Sequence, residues 1–90
     1  MPTPDVPSLE KKTGSVTIAG VDAGATVTQT ITISGNVIII GMPKVTTPTA
    51  NATVKLINGG EKEFTVEVTN NAGSAQDVVV DYEVLVIRRA

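Results

Sequence analysis

Ala25-Thr26-Val27-Thr28-Gln29-Thr30-Ile31-Thr32-Ile33-Ser34 alternates apolar and polar side chains almost without a break. Successive side chains of a strand point to opposite faces of a sheet, so Ala25, Val27, Ile31 and Ile33 fall on one face. Thr26, Thr28, Thr30, Thr32 and Ser34 fall on the other, and Gln29 alone interrupts the apolar side. The β-branched residues that fill the stretch are stiff at χ1 and suit a pleated, half-buried surface. The pattern predicts a β-strand covered on one side.

Working outward, the same grammar recurs. Towards the N-terminus, Val16 and Ile18 alternate with Ser15, Thr17 and Ala19 from Gly14 onward, Gly20 closes that strand, and Asp22-Ala23-Gly24 reads as a turn. Towards the C-terminus, Ser34-Gly35-Asn36 turns the chain into Val37-Ile38-Ile39-Ile40. This run is apolar on both faces and therefore predicts a central, buried strand that Gly41 and Pro43 end. The Thr- and Pro-rich residues 44–51 read as a connection between sheets or a short edge segment. A hairpin follows, with arms at 53–57 and 62–69 around Asn58-Gly59-Gly60-Glu61, where glycines are expected to supply positive φ. After the loop 70–74, the last strand sets Val78, Val80, Tyr82, Val84 and Val86 on one face. Its other face, Val79, Asp81, Glu83, Leu85 and Ile87, changes from polar to apolar, which predicts cover on both sides near the end, from another subunit. No segment carries a helical apolar period. The expectation is an all-β domain, an antiparallel β-sandwich or small jelly roll of six or seven strands, over residues 14–90.

Residues 1–13 differ from the rest. Pro2, Pro4 and Pro7 each lack an amide donor and push their predecessors towards extended geometry. The stretch reads as an extended, Pro-rich N-terminal arm with Val6 and Leu9 as apolar anchors for a partner. It lacks the basic start and apolar core of a signal peptide, and the longest apolar run is too short to span a bilayer. A soluble protein made in the cytoplasm is the expectation, with no membrane partner.

Composition narrows the function. The 90 residues include no His, Cys or Trp, one Phe and one Tyr, and carry a net charge of −2. The missing types perform most nucleophilic, acid–base and metal chemistry. Nucleic-acid binding is disfavoured, because no basic stripe forms and stacking aromatics are absent. A small domain without disulfide or metal can gain stability by association with other chains.

The candidate chemistry is thin. Asp77, Asp81 and Glu83 share a strand face, but calcium needs six to eight oxygens, usually gathered by a wound loop. Glu63 and Glu67 share a face without the cleft that a glycosidase pair requires. Asn51-Ala52-Thr53 matches a glycosylation sequon, and Gly59-Gly60 lacks the following helix of a phosphate cradle. Arg88-Arg89 reads as solvent-facing. The threonines at 26, 28, 30 and 32 read as a solvated face or as a flat surface for ice, glycan or a symmetry mate. Ice would favour Thr-x-Thr on several strands, and the sequence has it on one. No catalytic, cofactor-binding or metal site is expected, and the chain reads as no enzyme.

The run Gly14–Gly35, GSVTIAGVDAGATVTQTITISG, resembles the opening of small β-domain proteins encoded among tailed-phage head genes. Val37–Ile40, Met42-Pro43, Phe64–Thr69, Asn70-Asn71-Ala72-Gly73, Asp77 and Val78–Ile87 continue the resemblance, and residues 44–63 depart from it. The resemblance implies a bacteriophage virion structural protein, of the capsid decoration (cement) or head-fibre type. It further implies a homotrimer bound to the major capsid protein on the outer capsid surface, where it stabilises the shell. Its arm, with Pro2, Pro4, Val6, Pro7 and Leu9, would grip the shell, while Leu85 and Ile87 are the expected subunit contacts. The alternative is a carbohydrate-binding or adhesin module, a fibre or tail tip domain. For a glycan partner, exposed Asn and Thr suit sugar hydroxyls, but aromatic platforms are scarce.

Overall fold

The computed structural model describes residues 8–88, with no side-chain description at Ser8. It is all-β. Six strands run β1 (Ser8–Val21), β2 (Thr26–Thr32), β3 (Val37–Thr46), β4 (Ala52–Gly59), β5 (Glu63–Asn70) and β6 (Gln76–Arg88). They form two antiparallel three-stranded sheets, one ordered β1-β6-β3 and the other β2-β5-β4. Face to face, these sheets make a small β-sandwich.

The alternation seen in the sequence builds the core. Phe64, Val66 and Val68 of β5 face Val78, Val80, Val84 and Val86 of β6, and all seven are almost wholly buried. Val21, Ile31, Ile33, Val37 and Ile39 complete the core from the end of β1, β2, the β2–β3 connection and β3. Phe64 and Tyr82 meet edge to face across the two sheets at 5.5 Å, a geometry that the ring quadrupoles favour. Gly14 lies opposite Tyr82, and its lack of a side chain is required there. A Cβ at this position would stand 2.4 Å from the tyrosine Oη.

Several elements differ from the sequence-based expectation, each for a local reason. β1 begins at Ser8 and pairs residue by residue with the end of β6, from Ser8↔Arg88 to Ile18↔Val78. Residues 8–13 are therefore strand, while 1–7 lie outside the described residues. The inward-facing Glu10 and Lys12 hid this extension, because charged residues there interrupt the apolar period. β3 does not stop at Gly41 and Pro43. A bulge between Ile40 and Lys44, with Gly41 at φ +73°, absorbs them and lets pairing resume as far as Thr46. Nor is Val37–Ile40 central: β3 is an edge strand, and β5 and β6 are the central ones.

The 59–63 hairpin is also built differently. Among the described residues, positive φ occurs at Gly20, Gly24, Gly35, Gly41 and Asn51, and at neither Gly59 nor Gly60. A register shift between Leu56 and Asn58 and a bond from the Gly60 N–H to the Glu63 carbonyl close a turn that lies further along the chain than expected.

Candidate binding surface

β1 and β6, at 14 and 13 residues, are far longer than β2, β4 and β5, at seven or eight. The first sheet is therefore the longer one, and strand register sets the outward side chains at the end where β1 begins in rows. Leu9, Ile87 and Ile38 form one row across β1, β6 and β3; Lys11, Leu85 and Ile40 form the next. Leu9 is 64% exposed and Leu85 41%, while Ile38, Ile40 and Ile87 are half-buried. An outer sheet face with contiguous aliphatic side chains is a candidate interaction surface.

Charge borders this patch. The third row is Thr13, Glu83 and Lys44. Lys11 Nζ lies 3.0 Å from Glu83 Oε1. The hydrogen bond from Lys11, its charge and the more distant charge of Lys44 hold the Glu83 carboxyl below its ordinary value. On the inward side of this end, Arg88 Nε donates to Glu10 Oε2 at 3.1 Å. At the bulge, Met42 is 85% exposed beside a shallow groove lined by Pro43, Leu56 and Gly60.

Of the residues expected to meet a partner, Leu9, Leu85 and Ile87 come together here, with Leu9 directly opposite Ile87. Pro2, Pro4, Val6 and Pro7 lie outside the described residues. Sequence reasoning missed Ile38, Ile40 and Met42. The signal for the two isoleucines was the run apolar on both faces, which fits an edge strand with a second apolar side as well as it fits a buried one.

The candidate acids are engaged structurally. Asp77 Oδ1 accepts the Gly20 N–H at 2.9 Å, Asp81 accepts the Ser15 hydroxyl, and Glu83 pairs with Lys11. Glu67 Oε1 lies 3.4 Å from Lys55 Nζ. Among the described residues, no group of three or more acids is placed to hold a metal ion.

Buried Asn70 serves the fold. Its Nδ2 donates to the carbonyls of Val21 (2.8 Å) and Ser74 (3.0 Å), and its Oδ1 accepts from the Ala72 N–H (2.9 Å) and Gln76 Nε2 (3.0 Å). The Thr ladder is wider than one strand. Thr26, Thr69 and Thr53 form a row across β2, β5 and β4, and the Thr26–Thr69 and Thr30–Thr65 hydroxyls are hydrogen-bonded at 3.0 and 3.1 Å. Glu67 and Lys55 interrupt it between these rows.

Comparison of the chain with family models, with curated proteins and with solved structures finds no match.

Proposed function

We propose that this chain is a non-enzymatic structural protein of a bacteriophage virion, a capsid decoration or cement protein. It binds the outer capsid surface as a homotrimer and stabilises the shell, with the major capsid protein as its partner. The observation that carries this reading is the aliphatic face of Leu9, Ile38, Ile40, Leu85 and Ile87, placed at the start of β1. A sandwich with an apolar end and a proline-rich segment preceding it in sequence is equipped for attachment. The sheets supply a rigid body, and residues 1–7 supply a strand or apolar anchors to the shell. Three arms acting together raise avidity without any one contact being strong.

The test is co-sedimentation with shells of the major capsid protein encoded in the same genome. Removing residues 1–7 keeps all six strands in the chain and is expected to abolish binding. Unchanged occupancy by the shortened chain would overturn the role of the arm.

A second reading, a carbohydrate-binding or adhesin module, draws on the Thr-rich outer face of β2, β5 and β4. Phe64 is fully buried and Tyr82 packs against it, so the platform on which sugars usually stack is missing from that face. Specific, saturable signals on a glycan array would favour this reading over the first.

A further inference from the structure

We propose that two copies of this chain associate through the free edge of β2, antiparallel and centred on Gln29, so that their β2-β5-β4 sheets run on as one. This edge belongs to the other sheet from the aliphatic face, and the contact does not depend on the shell reading. Exposed sheet edges invite pairing with another chain, and folded proteins blunt them with charge, proline or bulges. Three of the four edges here are blunted. β1 carries Glu10, Lys11 and Lys12 and a register break before Val21. β3 has Pro43, Lys44 and its bulge, and β4 has Lys55 and the shift between Leu56 and Asn58. β2 has none of these. Its seven residues, TVTQTIT, hold neither charge nor proline and pair with β5 without a break.

Backbone direction makes that edge available. The Asn70 N–H donates to the Ala25 carbonyl, and the Ile33 N–H donates to the Lys62 carbonyl. Hydrogen-bonded and non-hydrogen-bonded residues alternate along an antiparallel pair, so the odd-numbered residues of β2 turn their peptide groups towards β5. Those of Thr26, Thr28, Thr30 and Thr32 point to the open side. The Thr26–Thr69 and Thr30–Thr65 hydroxyl contacts agree, since side chains stand closer in non-hydrogen-bonded pairs. In the single chain the Gln29 amide serves one of these outward groups, donating to the Thr30 carbonyl at 3.2 Å.

The strand itself names the occupant, because it reads nearly the same in both directions. About a two-fold axis at Gln29, Thr26 meets Thr32 of the second copy, Val27 meets Ile31, and Thr28 meets Thr30. Threonines whose peptide groups point outward thus meet one another, and each N–H finds a carbonyl, while Val27 and Ile31 stay on the core side. Thr–Thr pairs across strands are themselves favourable. A slip of one residue would set threonines against apolar residues and lose both matches. Such a contact is isologous, the same patch serving both copies. Charge agrees. Lys12 borders the recess at Thr32, Asp22 lies in the turn that leads into β2, and the antiparallel fit sets these two ends together. Among the described residues, neither has an ion-pair partner on its own chain.

The experiment places Gln29→Cys in the full chain, which has no cysteine of its own. Residues opposite one another in a non-hydrogen-bonded pair have Cα atoms about 4.5 Å apart, which a disulfide can bridge. Under oxidised glutathione, Gln29→Cys is expected to give a disulfide-linked pair of copies, while Thr53→Cys, exposed on β4, stays unlinked. Gln29→Lys sets like charges against each other at the axis and should halve the mass of the parent chain in sedimentation over a wide concentration range. Gln29 is exposed in the single chain, so far-ultraviolet circular dichroism should stay that of a β-sheet protein. Linking of Gln29→Cys no faster than of Thr53→Cys overturns the proposal, as does an unchanged mass in a folded Gln29→Lys variant. Should Gln29→Lys fail to fold, the cross-linking decides alone.

Discussion

Asn70 and Gly14 show how much of this fold rests on single side chains. Asn70 is fully buried, and its amide ties the end of β1, the 71–75 loop and the start of β6 into one cluster. Replacing it with Ala leaves the Val21 and Ser74 carbonyls and the Ala72 N–H short of partners. Asn70→Ala is expected to cost about 2–4 kcal/mol in urea unfolding, and a loss below about 0.5 kcal/mol, the scale of an ordinary surface change, would refute the role. Gly14→Ala drives a methyl into the Tyr82 ring, which Phe64 holds from the other side. A loss of about 1–3 kcal/mol is expected, and it should shrink when Tyr82 is also shortened to Ala.

Glu83 gives a pH dependence whose sign follows from its lowered carboxyl. The group binds its proton more readily in the unfolded chain, so its stabilisation is complete above the ordinary value of 4.5 and fades as pH falls through the folded value. Both partners are exposed, so the effect is small and screened by salt. Glu83→Gln should flatten the acid limb of the melting-temperature profile slightly and leave neutral pH nearly unchanged. An unaltered acid limb would mean that the ion pair adds nothing to stability.

At the scale of elements, alternation was enough to place β2, β5 and β6, because each has one face in the core and one outside. Where that condition fails, the sequence was less legible. At the edge of the first sheet, the inward side of β1 carries half-buried Glu10 and Lys12, opposite the buried Val86 and Val84, so its first residues resemble a tail while pairing as strand. In β3 an apolar outer face makes an edge strand read as a central one. The stretch Thr47-Pro48-Thr49 illustrates another limit. The Thr47 hydroxyl donates to the Val79 carbonyl at 2.6 Å, and the Thr49 Oγ1 accepts the Val79 N–H at 2.9 Å. Two side chains thus finish the edge of β6 where β3 has left it, a role that pattern alone does not announce. Thr47→Val with Thr49→Val should destabilise by about 1–3 kcal/mol and speed amide exchange at Val79. Unchanged exchange there would contradict the assignment.

The same reasoning separates two truncations. Removing residues 1–7 should leave the unfolding midpoint where it was. Removing residues 1–13 strips the β1 partners from Glu83 through Arg88 of β6 and should lower the midpoint markedly. Equal midpoints for the two would mean that the first part of β1 contributes nothing to the fold.

At the scale of the whole molecule, the two sheets place the apolar outer rows together at the end where β1 begins and β6 finishes. That asymmetry is the physical content of the candidate site. The apolar outer end of β6 at Leu85 and Ile87 was legible in the last strand, where a polar face turns apolar. The contribution of Ile38, Ile40 and Leu9 to one continuous surface depends on the β1-β6-β3 order, which no local pattern encodes. On the proposed reading, attachment at this end would leave Asp77, which accepts the Gly20 N–H near the far end of β1, facing away from the shell. The central claim is tested most directly by titrating the full chain onto shells of the major capsid protein and counting bound copies. Saturable binding in multiples of three copies per site is the predicted result, and a chain that stays in the supernatant at every concentration would contradict it.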